Sequence, residues 1–413
     1  MTRWLVVGGG SAGCVVAARL SEVGANIVTL VEAGPDHGAG VGSPGEPVLD
    51  RPERLAARTL VVRRPGLAPQ NYAQGFGLGG SSLVNGGVVI GDPAELVDGH
   101  RLPVVPVTEP GPVARAVIAQ TGDAAPVSLV RRGAQRVSAV DAYLRPSIGR
   151  ENLTVMCNTV VERIVFDDRR AVGVVSISGD HFEADRVVLC AGAIRTPTLL
   201  LRSGVDTPGV GSGLQDHIGV AISFDLRDAS ATGPAIGATV ERDGRQIVVM
   251  DRLPGRPEMG AVLAGHLAVV SEGRVALPDP DGPPLVELNQ LAAAADLDGL
   301  QLVVGEALQL LRSPGVQEVV GERYVDRQGT PASTLESDAD ALRAWLPDHL
   351  GGYHHIAGSC RIGVALDSHG ALVGYDGLHV ADASALPHGP PRNLYLTVIR
   401  QAEHLARGWL ASR

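Results

Sequence analysis

The sequence contains no lysine; all 35 of its basic residues are arginine. Schiff-base chemistry on a lysine is thereby excluded. Aromatic residues make up only 3% of the chain, too few to build a base-stacking surface. Forty-five acidic residues set against the arginines give a net charge of −10, which argues against a nucleic-acid partner. The four cysteines, Cys14, Cys157, Cys190 and Cys360, stand far apart and form no C-x-x-C pair. That spacing offers no structural zinc site and no disulfide framework. No apolar run approaches the roughly 18 residues a membrane-spanning helix needs. The apolar residues after Arg3 run straight into a glycine turn, so they read as a strand and not as a signal peptide. A cytoplasmic location is the resulting expectation. Internal repeats and low-complexity tails are missing too.

What the chain has in quantity is glycine, 53 residues of it, within a composition that is 45% hydrophobic and 19% charged. Such a chain can bury a large core and divides most naturally into two domains. Trp4-Leu5-Val6-Val7 is a short apolar run of the buried-strand kind. Gly8, Gly10 and Gly13 then spell G-x-G-x-x-G, Cys14 to Glu22 reads as a helix, and Asn26 to Val31 as a second strand. Glu32 follows nineteen residues after Gly13. In a βαβ unit of this form Gly8 allows the tight turn, Gly10 lets the backbone approach a pyrophosphate, and Gly13 packs helix against strand. The helix N-terminus offers amides to phosphate, and Glu32 can bind an adenosine ribose. A lone glycine motif carries little weight among so many glycines; the strand, helix and acid around it supply the specificity.

Further along, Ala33 to Gln74 reads as an extended cover with one helical patch near Arg51 to Arg58. Gly75 to Gly87 suggests a tightly packed turn, its small residues flanked by Leu78, Leu83, Val84, Val88 and Val89. Four strands are expected over Leu153–Asn158, Val160–Phe166, Ala171–Ser176 and Arg186–Leu189. The last runs into Cys190-Ala191-Gly192-Ala193 and then a helix with Thr196 as N-cap and Pro197 at its first position. Val220–Leu226, Gln246–Met250, Val262–Val270 and Leu285–Leu288 read as alternating strands, and Asp296 to Leu311 as an amphipathic helix. Ser337 to Trp345 opens another helix, and Leu394 to Leu410 forms the last.

Four separated motifs give the chain a resemblance to the glucose-methanol-choline (GMC) family of flavoenzymes along most of its length. They are the N-terminal turn with Glu32; Gly79-Gly80-Ser81-Ser82-Leu83-Val84-Asn85-Gly86; Ala191-Gly192-Ala193-Ile194-Arg195-Thr196-Pro197; and the tail His355…Asp382-Ala383-Ser384…Asn393. Pro208-Gly209-Val210-Gly211 and Leu214-Gln215-Asp216-His217 also look like family segments. The resemblance implies an α/β fold: a discontinuous Rossmann-like FAD-binding domain over 1–90, 150–218 and 346–413. The second, α+β substrate domain would span 91–149 and 219–345 on a mixed or antiparallel sheet. The implied FAD contacts are Gly8, Gly10, Ser11, Ala12, Gly13, Glu32, Ala33, Gly79, Gly80, Ser81, Asn85, Gly86, Val161, Ala191, Gly192, Asp382 and Ala383. His355 matches the family's active-site histidine near flavin N5, and Asn393 its partner. Val84 stands where some relatives tether FAD through histidine, so the FAD is expected to be noncovalent.

Those matches imply an oxidoreductase taking hydride from a small-molecule alcohol. The hydroxyl proton must leave as the carbonyl develops, and a neutral imidazole such as His355 suits that task. Asn393 would hydrogen-bond the same oxygen. Adjacent strand residues point to opposite faces, so His354 and His355 are not expected to share a metal ion. The other histidines, His217, His354, His379 and His388, read as structural. Ser359 and Ile362 depart from the family's usual Thr and Met, and Leu394-Tyr395 from its Pro-Asn. The short chain resembles GMC dehydrogenases associated with mycofactocin, which implies a non-oxygen electron acceptor, mycofactocin or a respiratory carrier. Three alternatives stay open: an oxidase that passes its electrons to oxygen, a cyanohydrin lyase with redox-silent FAD, and a noncatalytic FAD-binding subunit.

Overall fold

The computed structural model of the chain describes residues 1–38, 40, 42–43, 51–56, 59–90, 101–228, 230 and 233–411. In chain order, β1 (Thr2–Val7), α1 (Ser11–Leu20) and β2 (Asn26–Val31) form the βαβ unit. There follow β3 (Leu153–Met156), β4 (Arg186–Leu189) and α2 (Gly192–Arg202). Next come β5 (Ile218–Leu226), β6 (Ile236–Arg242), β7 (Arg245–Met250), β8 (Met259–His266) and α3 (Ala294–Leu311). The chain closes with β9 (Leu378–Val380) and α4 (Leu394–Ala411).

Five strands make a parallel sheet in the order β3-β2-β1-β4-β9. β1 is central and buried on both faces, which is why its sequence is a continuous apolar run. Leu5 and Val7 enter one core with Val31, Val187 and Leu189. Trp4 and Val6 enter the other with α1, α4 and the turn Val140–Leu144. Small residues on α1 (Cys14, Ala17, Ala18) and on α4 (Ala402, Ala406) share that core. Arg19 of α1 forms a bidentate pair with the fully buried Glu403 of α4, Nε and Nη2 each 2.8 Å from a carboxylate oxygen. Removing one partner of a buried pair costs about 3–5 kcal/mol. The two ends of the chain are therefore one folding unit.

The second sheet is antiparallel, in the order Val320–Tyr324, β5, β8, β7, β6, Ala124–Pro126, with Gly351–Gly352 added beside β5. One face, with Val220, Ile222, Phe224, Val240, Val249 and Val262, is covered by Leu300, Val303 and Val304 of α3. This is the expected α/β architecture.

Several local expectations are corrected. β6 was not anticipated, because Gly237 and the charged Glu241 and Arg242 blur its alternation. α1 begins at Ser11 and not at Cys14. α2 begins at Gly192, so Thr196 is no N-cap and Pro197 lies inside the helix. Proline lacks the amide that would bond four residues back. The Ala193 carbonyl so released accepts instead from Ser359 Oγ at 2.6 Å. The helix expected from Ser337 spans Ala339–His349 and is capped by Asp338. Of the Arg51–Arg58 patch, Pro52–Arg54 form a 3-10 turn, and Ala57 and Arg58 lie outside the described residues, as do 91–100 of the expected second domain. Among the described residues no helix is long and apolar enough to cross a membrane, and no cluster of ligating side chains could hold a metal.

Candidate active site

At the end of β1 the chain turns through Gly8 (φ 99°) into α1. A Cβ on Gly8 would stand 2.6 Å from the Cys190 carbonyl oxygen, and one on Gly13 only 1.9 Å from that of Gly8. Gly80, in the left-handed region at φ 52°, comes equally close: its Cβ would lie 2.8 Å from Gly10 Cα. Gly10 itself meets nothing nearer than 3.8 Å on its Cβ side, which leaves its backbone open to approach. α1 has no side-chain cap and no acid in its first turn, so the amides of Ser11, Ala12 and Gly13 form an uncapped positive pole.

Glu32, at the end of β2, is buried, with Oε2 accepting from Gly9 N at 2.7 Å and Oε1 from Gly34 N at 2.9 Å. Burial raises its pKa. Backbone bonds from Asn158 to Gly34 and from Thr159 to Glu32 lash Ala33 to the segment entering strand Val161–Asp167. Glu32, Ala33 and Val161 thus meet at one end of the parallel sheet.

Gly79 (φ 114°) starts the turn that holds Ser81, Asn85 and Gly86, and its first residues lie against the glycine loop: Gly79 N donates to the Gly9 carbonyl at 2.7 Å and Gly80 faces Gly10. Asn85 Oδ1 accepts from Gly87 N at 3.1 Å and Arg136 Nη1 at 3.0 Å, which directs its amide nitrogen away from the loop. Arg136 is buried and also donates to the Ser82 and Leu83 carbonyls at 2.7 Å each. Burial lowers its pKa to about 10. The other wall is built by Asp382, whose carboxylate accepts four bonds: from Gly192 N (2.7 Å), Thr196 Oγ1 (2.6 Å), Ser384 N (2.8 Å) and Ser384 Oγ (2.5 Å). Asp382 is therefore a structural clasp between Ala191-Gly192 and Ala383, and its oxygens are taken up by protein donors.

The histidine segment pairs with two others. Gly358, Cys360 and Ile362 donate backbone bonds to Ala383, Ser384 and Ala385, while Ala357 and Gln215 exchange a pair of bonds. The tripeptide Gln215-Asp216-His217 then fixes everything near His355. Gln215 Oε1 accepts from Gly389 N at 3.0 Å, and Asp216 Oδ1 accepts from His355 N at 2.8 Å. His217 Nδ1 lies 2.9 Å from His355 Nδ1, and its Nε2 lies 2.9 Å from the Pro390 carbonyl oxygen.

Those two distances assign the protons. A carbonyl oxygen only accepts, so His217 Nε2 carries hydrogen. Burial holds the His217 pKa down to about 4, so the ring is neutral and its Nδ1 is an acceptor. His355 Nδ1 must then be the donor. Burial, with His217 and His354 nearby, keeps His355 far below its ordinary pKa as well. Neutral His355 thus has a lone pair on Nε2, which is the form a general base requires. Its neighbour His354, in the left-handed region at φ 60°, packs its ring against that of Tyr72, centroids 4.8 Å apart and planes tilted by 52°. Asn393 follows three residues after Pro390, and its Oδ1 is buried without a hydrogen-bond partner among the described residues.

Models of the GMC oxidoreductase family match residues 119–219 and 269–402, together more than half of the chain. The chain belongs to the GMC oxidoreductase family. A GMC-type oxidoreductase of Rhodococcus erythropolis is 28% identical over 500 aligned positions covering 97% of this chain and 96% of that one. An oxygen-dependent choline dehydrogenase of Citrobacter koseri is 24% identical, covering 98% and 94%. Both alignments run longer than this chain, so the relatives carry segments that this GMC protein lacks. Among solved structures, pyridoxine 4-oxidase from Mesorbium loti superposes with a TM-score of 0.85 at 22% identity, over 100% of this chain and 99% of that one. A fungal aryl-alcohol oxidase gives a TM-score of 0.81 at 17% identity, over 99% of each chain. These likenesses establish the fold.

The GMC family is FAD-dependent, and the residues present fit that cofactor. The Gly8–Gly13 turn and the uncapped α1 amides suit a pyrophosphate, and Glu32 suits a ribose. Three contributors carried no signal that the sequence alone could rank. Asp216 and His217 lie in a recognised family segment, but their contact with His355 spans about 140 positions of chain. Arg136 stands in no motif at all.

Proposed function

We propose that this GMC oxidoreductase oxidises an alcohol, with His355 as the base and Asn393 as its hydrogen-bonding partner. The observation that carries the reading is the chain Pro390 carbonyl, His217, His355, each link 2.9 Å long, which leaves His355 Nε2 unprotonated. His355 Nε2 takes the hydroxyl proton as the carbonyl develops, and its Nδ1–H stays bonded to His217 while the ring becomes a cation. Asn393 holds the same oxygen through its amide. Bound FAD supplies the hydride acceptor. Gly8, Gly10, Ser11, Ala12, Gly13, Glu32, Ala33 and Val161 would hold its adenosine and pyrophosphate end. Gly79, Gly80, Ser81, Asn85, Gly86, Ala191, Gly192, Asp382 and Ala383 would hold the remainder, Asp382 acting through the backbone it clasps. Val84, buried and apolar, offers no nucleophile for a covalent tether, which supports noncovalent FAD.

The division into an FAD-binding part (1–90, 150–218, 346–413) and a substrate part (91–149, 219–345) belongs to the same proposal. So does the electron acceptor: a carrier other than oxygen, mycofactocin or a respiratory one, a reading supported by the shortened chain. The test is anaerobic addition of alcohols named for the relatives (choline, pyridoxine, aryl alcohols) and of wider alcohol panels to the yellow holoenzyme. Bleaching supports alcohol oxidation. Cyanohydrin cleavage without bleaching would replace it with the lyase reading, and inertness to every alcohol would favour a binding subunit. His355→Ala should keep FAD but slow bleaching by about 10²–10⁴-fold, the usual worth of a general base. Reoxidation by air at the rate seen with artificial acceptors would overturn the dehydrogenase assignment.

A further inference from the structure

We propose that the sheet face carrying His217 also reads the far end of the substrate, and that it selects an alcohol bearing a second hydrogen-bond donor, a hydroxyl or an amine. This rests on the alcohol-oxidising reading above. Strand alternation defines the face. Ile218, Val220, Ile222 and Phe224 of β5 point into the core under α3, so His217, Gly219 and Ala221 point the other way. Gly219 pairs with Gly265 of β8, and Gly265 with Gln246 of β7, so Gln246 shares that face. Thr239 of β6 pairs with Val248, two residues from Gln246, and shares it too.

The two paired glycines leave a bare strip, which Tyr353 occupies. A Cβ on Gly219 would stand 2.6 Å from its ring, and one on Gly265 2.1 Å from its hydroxyl oxygen. The Tyr353 ring lies 5.5 Å from that of His355, and its hydroxyl lies over Gly265, beside Gln246. Thr239, Gln246 and Tyr353 are 5%, 1% and 9% exposed, yet Thr239 Oγ1, Gln246 Oε1 and the Tyr353 hydroxyl have no hydrogen-bond partner among the described residues. Three such atoms in one patch are unusual, because native proteins pair nearly all their buried polar groups. Nearer the middle of β5, Ala221 is exposed on the same face, while Val248 in its row is packed against Val107, Val127 and Leu129.

Donor and acceptor roles follow from the contacts. Gln246 Nε2 donates to Glu241 Oε1 at 3.0 Å, which fixes Oε1 as the atom left over. An amide oxygen only accepts, so the ligand must bring a donor. β5 and β7 are two strand spacings apart, about 10 Å, which suits roughly five to eight carbons between the oxidised hydroxyl and the second group.

The experiment is calorimetric titration of the holoenzyme with α,ω-diols of roughly five to eight carbons and with 1-alkanols of equal length, chosen on that spacing. At the best length the diol is expected to bind at least about tenfold more tightly, as when a polar pocket rejects an analogue lacking its partner. Gln246→Met should collapse the ratio to about one, and Thr239→Val, a smaller change, should reduce it. Equal affinities at every length in the wild type, or a preference that survives in both variants, would overturn the inference. Selective diol binding without flavin bleaching would sink the alcohol-oxidising reading while leaving this subsite standing.

Discussion

Replacing His217 by leucine removes the acceptor that fixes His355 in its basic tautomer. In the wild type the bond between the two Nδ1 atoms, 2.9 Å long, joins two neutral rings until His355 takes the substrate proton. A neutral hydrogen bond contributes about 1 kcal/mol net, and one to a charged group about 1.5–3 kcal/mol. The difference, about 0.5–2 kcal/mol, appears only as charge develops and is worth about 2- to 30-fold in rate. Leucine also frees the His355 proton to move to Nε2, which silences the base in that fraction of molecules. The combined loss should be about 10- to 100-fold, short of the full 10²–10⁴ of a missing base. His217→Asn puts an amide oxygen where Nδ1 stood, so it should recover the rate to within about tenfold of wild type although it cannot reach Pro390. The assay is anaerobic stopped-flow reduction of the bound flavin by whichever alcohol bleaches it, with FAD content and thermal midpoint as folding controls. A leucine variant that is fully loaded and as fast as wild type would refute the reasoning. So would an asparagine variant that is loaded but no better than leucine.

Three further outcomes are expected. Ser359→Ala leaves the Ala193 carbonyl, already without a helical donor because of Pro197, with no partner; it should cost about 1–3 kcal/mol in urea unfolding, and Ser359→Thr should not. Gly80→Ala forces a Cβ to 2.8 Å from Gly10 Cα at a left-handed φ of 52°, so the FAD-to-protein ratio of the purified variant should fall sharply while the far-ultraviolet spectrum is retained. Asp251 is buried beneath the helix Pro112–Gln120, accepting from Val113 N and Ala114 N through Oδ1 while Oδ2 is unpartnered, and burial raises its pKa to about 6. A raised carboxyl gives stability that is present below its unfolded pKa and lost as pH rises through the folded one. The thermal midpoint of Asp251→Asn relative to wild type should therefore climb between about pH 4 and pH 6 and level off above, and a constant difference would rule the account out.

Elements governed by neighbours in sequence were legible in it. β1, β2 and α1 follow from an apolar run, a glycine turn and an apolar helix, because a parallel strand covered on both faces has only one kind of sequence. The acid at Glu32 and the glycines at 79 and 80 are visible for the same reason: each answers a local backbone demand. β6 was lost because Gly237 interrupts its pattern and its alternation is read only against β7. The start of α2 was misplaced because Thr196-Pro197 imitates a helix N-terminus. The rule it imitates is overridden by Asp382, 186 residues away, which takes the Thr196 hydroxyl, and by Ser359, which caps the orphaned Ala193 carbonyl. His355 could be named by motif, but the residue that sets its tautomer could not, since the family segment around His217 gives no sign of a contact 138 residues away.

The choice of a histidine rather than a carboxylate behind His355 has a physical consequence. A carboxylate bonded to Nδ1 would also fix the tautomer, but its charge would raise the imidazole pKa and favour keeping the proton. A carboxylate is at hand: Asp216 directly precedes His217. It is spent on the His355 backbone amide and, at 3.3 Å, on the Tyr72 hydroxyl, and burial lifts its own pKa to about 7. His355 Nδ1 is bonded to the neutral His217 ring and not to a carboxylate, so His355 stays unprotonated well below its ordinary pKa and the rate of flavin reduction should be flat from pH 6.5 upward as far as this base is concerned. The cost falls on acid stability. Below pH 6.5 the unfolded chain binds a proton that folded His217, with its pKa near 4, refuses, so stability declines as pH drops from 6.5 towards 4. His217→Leu, which has no such proton to refuse, should show a shallower fall in thermal midpoint over that window, and a slope as steep as that of wild type would mean that the buried pair is protonated in the folded protein after all.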